Sequence, residues 1–376
     1  MGKERTYWLA WSQVPGIGAV SLKRLKQHFG TLATAWQATA AELLAVEGIG
    51  LLTAEATIAA RDRLDPDEFL EHHSQENPDF WTPADPDYPP LLWELPDPPP
   101  VLYYRGQMPP ESWQPTPMVA IVGTRSPSEY GRRWTRRLSI CLTRHGFTLV
   151  SGLAEGIDTE AHRSCLEFGG RTIAVLGCGT DRIYPWSNRG LYQQILASGL
   201  LLSEHPAGTK PDRMFFPRRN RIIAGLCRAT LVMEAGERSG GLITARYANE
   251  YGRDVYVLPG SLDNPKAIGC LRLINKGANV IVDEDDLLEL LGSIPPFQAP
   301  TSIPADSPQV PTSTVPLQPE WEQILQILPQ QSAEAMALDQ IVQTTQLSTG
   351  TVSSALLQLE MEGLVTSLPG MRYRRV

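Results

Sequence analysis

The sequence predicts an α/β protein built around a Rossmann-like doubly wound domain, flanked by an N-terminal helical segment and a C-terminal winged helix. Three observations predict the central domain. Short apolar runs recur at Met118–Val122, Thr148–Ser151, Thr172–Leu176, Leu200–Ser203, Ala229–Met233, Asp254–Leu258 and Val280–Val282. Helix-length amphipathic stretches such as Tyr130–His145, Asp158–Gly169 and Thr244–Tyr251 separate most of them, and that alternation implies a mainly parallel sheet covered on both faces. Glycine-rich turns fall at the ends of the runs: Gly123-Thr124-Arg125, Ser151-Gly152 through Gly156, Gly177-Cys178-Gly179-Thr180, and Glu234-Ala235-Gly236 with Ser239-Gly240-Gly241. Ligands of such sheets sit at the carboxyl ends of the strands.

Composition bounds the remainder. The 376 residues suffice for two or three domains, at least one with a full core. No run of about 18 uninterrupted apolar residues occurs, so no membrane span is expected. The stretch Met1 to Trp8 has no continuous apolar run behind its basic residues, and a cytoplasmic protein is expected. Cys141, Cys165, Cys178, Cys227 and Cys270 are scattered without Cys-x-x-Cys spacing. Buried thiols are therefore expected, not a zinc site or a disulfide framework.

Residues 1–76 read as short helices. Pro15-Gly16-Ile17-Gly18 and Glu47-Gly48-Ile49-Gly50 each follow a valine and precede an amphipathic helix, a pairing that reads as helix-hairpin-helix or SAM-like. The first of those helices, Ala19 to Phe29, turns Val20, Leu22, Leu25 and Phe29 to one side. With seven Lys/Arg against ten Asp/Glu, the segment suits a protein contact as well as a DNA contact. From Trp81 to Pro117 dense prolines predict an extended lead into the larger domain, which spans 77–293. None of the glycine turns forms a Gly-x-Gly-x-x-Gly fingerprint or a Walker loop, so no dinucleotide or nucleotide cofactor is expected.

Residues 294–318, rich in Pro, Ser, Thr and Gln, form the expected linker. Within 319–376, Glu320–Leu328, Leu338–Thr345 and Thr349–Glu362 read as helices, the last capped by Ser348, and a hairpin follows from Gly363 to Tyr373. Three helices and a hairpin predict a winged helix. Its third helix holds no Lys or Arg and carries Glu360 and Glu362, which favours protein contact over groove reading.

The stretch Lys210–Gly225 concentrates Lys210, Arg213, Arg218, Arg219 and Arg221 against Asp212 alone, in a chain of formal net charge −8. A local reversal of sign marks an anionic partner, and Phe215 and Phe216 among the cations supply rings for stacking bases. The alternative is a solvated arginine face packed on a helix start, with both rings in the core. Arg125 follows a strand and a glycine, where its guanidinium can fork onto a phosphate or close an ion pair within the loop. Of Arg219 and Arg221, one is expected to bond to sheet-edge carbonyls or to Glu234. Asp158 and His162 are too few for a metal site and read as a cap or first-turn acid beside a hydrogen-bonded histidine. Arg132, Arg133, Arg136, Arg137 and Arg144 share a helix and form a basic or merely solvated face.

Taken together, Val119–Ser126, Ser151–Asp158 with His162, Thr172–Gly177, Asp181–Pro185, Leu202–Glu204, Phe216–Gly225, Ser239–Ala245 and Leu258–Gly260 resemble the DNA-processing protein A (DprA, or Smf) family over nearly the whole chain. Two positions depart from the pattern: Leu271, where the family often has asparagine, and Cys227, where serine is common. The resemblance implies an extended Rossmann domain that binds single-stranded DNA, dimerises, and helps load the RecA recombinase onto incoming strands during natural transformation, without a catalytic step. It implies Arg125 as a phosphate clamp, Arg213 or Lys210 as a basic contact, Phe216 as a stacking ring, and Arg218 and Asn220 as supports in a Pro-Arg-Arg-Asn-Arg turn. With them, Gly123, Thr124, Ser151, Gly152, Arg219 and Arg221 complete the expected DNA site. A competing class is a Rossmann enzyme that hydrolyses nucleoside monophosphates through a Pro-Gly-Gly-x-Gly-Thr loop, a pattern that Glu234–Gly241 lacks. A third is a duplex-DNA regulator acting through the wing.

Overall fold

The computed structural model describes residues 2–107, 118–292, 319–329, 336–361, 365–368 and 372–375. It divides the chain into two compact units, 1–301 and 302–376. The expected linker at 294–318 lies outside the described residues.

The first unit opens with six helices, α1 Gly2–Trp11, α2 Ala19–Phe29, α3 Leu32–Gln37, α4 Ala40–Leu44, α5 Leu51–Arg61 and α6 Pro66–Glu76. Their starts are written in the sequence: Thr31 caps α3, Thr39 and Glu42 form a capping box on α4, and Asp65 with Pro66 opens α6. Trp8, Trp11, Leu22, Leu25, Leu32 and Trp36 fill a core of their own. Val20, expected on the buried side of α2, is exposed. The helices nevertheless belong to the same unit as the sheet. Arg5 donates to the Phe80 carbonyl at 2.7 Å, and the Lys23 amine reaches the carbonyls of Trp93 and Leu95 at 3.0 and 2.5 Å.

The sheet has nine strands: β1 Phe80–Trp81, β2 Leu102–Gly106, β3 Met118–Val122, β4 Thr148–Ser151, β5 Thr172–Val175, β6 Leu200–Ser203, β7 Ala229–Val232, β8 Asp254–Val257 and β9 Asn279–Val280. They stand in the order β1-β2-β6-β5-β4-β3-β7-β8-β9, parallel from β6 to β9, with β1 and β2 antiparallel. Helices α7 Pro90–Trp93, α8 Glu129–Arg144, α9 Ile157–Glu167, α10 Arg189–Ser198, α11 Phe215–Leu226, α12 Gly241–Glu250, α13 Ile268–Ile274 and α14 Glu284–Leu291 cover it. Alternate residues of β3 explain why both faces need cover. Ala120 and Val122 pack with Ile222, Ile223 and Ala245 of α11 and α12, while Val119 and Ile121 pack with Leu138, Leu142 and Ile157 of α8 and α9. Strands β4 to β6 lie on one side of β3 and β7 to β9 on the other, so the winding reverses between β3 and β7. A crevice for ligand opens at such a reversal, beyond the strand carboxyl ends.

The second unit comprises α15 Pro319–Ile327, β10 Met336–Ala337, α16 Leu338–Thr345, α17 Thr349–Met361, β11 Val365–Leu368 and β12 Arg372–Arg375. Ile324, Ile341, Val352, Leu356, Leu359 and Val365 form its core. Ser348 caps α17 by accepting from the Thr351 amide at 3.2 Å. The hairpin β11–β12 gains a third antiparallel strand, β10, which completes a winged helix. Among the described residues no helix is long and apolar enough to cross a membrane.

Candidate nucleic-acid interface

The crevice is built from loops that follow β3, β4, β5 and β7. The Thr124 amide donates to the Glu234 carbonyl at 2.7 Å, and the Ile157 amide donates to the Thr124 carbonyl at 3.2 Å, tying three loops together. Gly156 has φ +83°, and a Cβ there would stand 2.4 Å from the Thr124 carbonyl, so only glycine lets the loops close. The Glu234 carboxylate is buried and accepts from the Ser128 amide and hydroxyl and from the Asn264 amide, at 2.7 to 2.9 Å. It braces the loops and pairs with neither Arg219 nor Arg221; of the two expected partners, it is the strand-end carbonyls that Arg219 takes.

Helix α11 supplies the opposite wall. The resemblance implies a turn at Pro217–Arg221, with a helix start as the alternative reading, and the chain is helical from Phe215. Pro217 falls in the first turn, where a proline ring costs no hydrogen bond, and Ile222, Ile223 and Leu226 anchor the helix on the sheet. Phe216 lies against Gly177: a Cβ at Gly177 would sit 2.8 Å from the ring. Its ring stacks on Tyr184, with centroids 5.1 Å apart and planes at 28°, and the Arg125 guanidinium stands 6.0 Å from its centroid.

Between these walls lies a cavity of about 770 Å³. Of the expected residues, Gly123, Thr124, Arg125, Arg213, Phe216, Arg219 and Asn220 line it. Arg125 and Arg213 are exposed at its rim, as is Arg238, and the Lys266 amine bridges to the Ser126 carbonyl at 2.6 Å. Asn220 donates to the Gly240 carbonyl at 3.2 Å and so joins α11 to the loop before α12. Two carboxylates also line the cavity, and both are engaged: Glu237 with Arg272 at 2.5 Å, Asp158 with the amides of Gly152 and Ala154 at 3.1 and 3.3 Å. A small cavity of about 120 Å³, lined by Gly152, Gly177, Tyr184 and Phe216 among others, adjoins the main one.

The structure revises three assignments. Arg219 is buried, and its guanidinium donates to the Gly152 carbonyl at 2.9 Å, to the Val175 carbonyl and to the Asn220 side chain at 3.2 Å. Burial lowers its pKa to about 10, with Asp158 opposing, so the charge persists at neutral pH. Arg221 is buried between Glu204 and Asp97, the latter 3.2 Å from its Nε. Ser151 is buried and donates to the Ile121 carbonyl at 2.6 Å. Buried cations need partners, and these side chains serve the protein's own frame. Lys210 and Arg218 are exposed but lie outside the cavity lining, so Arg213 is the basic side chain of this stretch at the rim.

Sequence reasoning named no role for Tyr184, Arg238 or Lys266. Tyr184 lies in the family-like stretch Asp181–Pro185 and Arg238 in a glycine-rich turn at a strand end, and both signals were open to reading. Lys266 carried none, since only the fold brings it beside Ser126. Asp158 and His162 serve the frame: Asp158 is a first-turn acid whose pKa burial raises, with Arg219 opposing. His162 bonds through Nδ1 to the Thr172 hydroxyl at 2.7 Å, and burial drops its pKa to about 3, which keeps it neutral.

Comparison with known proteins adds an independent line. The family model of DNA recombination-mediator protein A matches residues 79–292, and that of the DprA winged helix domain matches 308–371. Protein Smf of Synechocystis sp. is 53% identical over 396 residues, covering 99% of both chains. The DNA processing protein DprA of Streptococcus pneumoniae is 42% identical over 222 residues, 59% of this chain and 77% of that one. A solved structure of the Streptococcus pneumoniae protein superposes with a TM-score of 0.67 at 34% identity, covering 76% of this chain and 97% of that one. A structure of DNA processing protein A from Helicobacter pylori, titled for its single-stranded DNA binding mode, gives 0.52 at 32% identity, covering 56% and 95%. With a central domain and a winged helix that both match, this chain belongs to the DNA recombination-mediator protein A family, the DprA/Smf proteins.

Proposed function

We propose that this protein binds single-stranded DNA in the β3/β7 crevice, shields incoming strands, and helps load the RecA recombinase onto them during natural transformation. It acts in the cytoplasm as a homodimer through its Rossmann domain and performs no chemical step. One observation carries the reading: exposed Arg125, Arg213 and Arg238, with Lys266, surround the paired rings of Phe216 and Tyr184 at the point where the sheet reverses. Cations neutralise phosphates and release counterions, while rings accept bases without regard to sequence. The single-stranded DNA binding named for the Helicobacter pylori relative supports it.

The nucleotide-hydrolase alternative gains nothing from the site. Its cavity carboxylates are committed to Arg272 and to backbone amides, and general base work needs a carboxylate within reach of substrate.

Binding is tested by titrating a labelled oligothymidylate with the full chain at several salt concentrations. Arg125→Ala combined with Arg213→Ala should lower affinity and flatten the slope of log affinity against log salt by about 0.7 for each phosphate released. A folded double variant with unchanged affinity and slope refutes the assignment. Strand exchange by RecA on DNA pre-coated with a single-strand binding protein, with and without this protein, tests the loading step.

A further inference from the structure

The rings at the crevice are not equally available to a base. Phe216 is half-buried: Gly177 crowds one part of the ring and Tyr184 stacks on it at 5.1 Å. Tyr184 is 40% exposed and lines both the main cavity and the small one beside it. Two residues on, Trp186 is 67% exposed, with the Arg189 guanidinium 5.1 Å from its ring. The segment that bears both rings is pinned. Asn188 donates to the Leu153 carbonyl at 2.9 Å and to the Thr159 hydroxyl at 2.9 Å, and the Ser187 hydroxyl donates to Glu155 at 2.7 Å.

From this geometry, and resting on the single-strand reading above, we infer that Tyr184 presents the stacking face of the DNA site, with Phe216 as the ring behind it, and that Trp186 takes a further base as the strand leaves the crevice. Offset-stacked rings of this separation form one continuous π-surface, so a base laid on Tyr184 extends a stack the protein has already ordered. Pinning the segment in advance removes the entropy cost that a mobile loop pays on binding. Arg189, behind Trp186, adds a cation at the place where the backbone of a stacked nucleotide passes. The strand path therefore runs from Arg125 and Arg213 across Tyr184 to Trp186.

The test uses the full chain and oligothymidylates of two lengths, the shorter filling the crevice alone. Stacking on one ring is worth about a 5- to 150-fold change in affinity. Tyr184→Ala and Tyr184→Leu should each weaken both oligonucleotides within that range, Tyr184→Phe should leave them unchanged, and the salt slope should hold in all three. Trp186→Ala should weaken the longer oligonucleotide only. Stacked bases quench indole emission, so the fluorescence drop on adding the longer strand should shrink in Trp186→Phe relative to the parent chain. Tyr184→Leu preserves packing on Phe216, so its binding is read on a chain with unaltered melting. Parent-like affinity in Tyr184→Leu, while Arg125→Ala and Arg213→Ala still bind weakly, overturns this inference and spares the single-strand reading. Parent-like affinity in all of these variants overturns both.

Discussion

Arg219 and Arg221 differ from Arg213 in where their charge is spent. Arg219 lies against the carbonyls of Gly152 and Val175 with Asp158 near, and Arg221 locks Glu204 to the proline-rich segment through Asp97. Replacing either by methionine leaves a carboxylate buried without its cation, and we expect about 3–5 kcal/mol of lost stability in urea unfolding. Arg213→Ala, at an exposed site, should leave unfolding within about 0.5 kcal/mol of the parent chain. Local sequence suggests that one of Arg219 and Arg221 serves the frame, but does not show that both are buried. The partners that separate them, Asp97, Asp158 and Glu204, lie at other points of the chain, so burial could be read only from the fold.

At the scale of elements, β3 to β8 were legible because they are apolar runs buried at every residue but Asp254, and they agree with their expected ranges to within one residue. Helix α11 was legible only as the alternative of a helix start, because Pro217 and a density of charge disguise a helix whose buried apolar residues are Ile222, Ile223, Ala224 and Leu226. The meeting of α11 with the loop after β5 depends on Gly177, which leaves room for the Phe216 ring. Gly177→Ala should drive that ring off its position. We expect a stability cost of about 1–3 kcal/mol by thermal melting and a parallel loss in single-strand affinity of about 1 kcal/mol or more. An alanine variant that melts and binds like the parent would remove Gly177 from the construction of the site.

For the whole molecule, the chain falls into two compact units. The cavity and its cations belong to the first unit, while α17 of the second carries no Lys or Arg. A chain ending at residue 301 should therefore keep single-strand affinity within about threefold of the full chain in the same titration, since no phosphate contact proposed here is removed. Loss of binding would move the DNA site to the winged helix. The winged helix and the doubly wound domain were both legible from periodicity, whereas the attachment of the six N-terminal helices to the sheet unit was not. It rests on Arg5 reaching the Phe80 carbonyl and Lys23 those of Trp93 and Leu95, some seventy residues away, and on Leu9 packing with Phe80 and Tyr103.

The nine-stranded sheet ends at both margins in a strand of two residues, β1 on one side and β9 on the other. Open margins are where foreign strands add to a sheet and where aggregation begins. A two-residue margin offers too short a ladder for a stranger to register on. The central strands are thereby fenced, and the crevice at their carboxyl ends can stay open without inviting another polypeptide into the sheet.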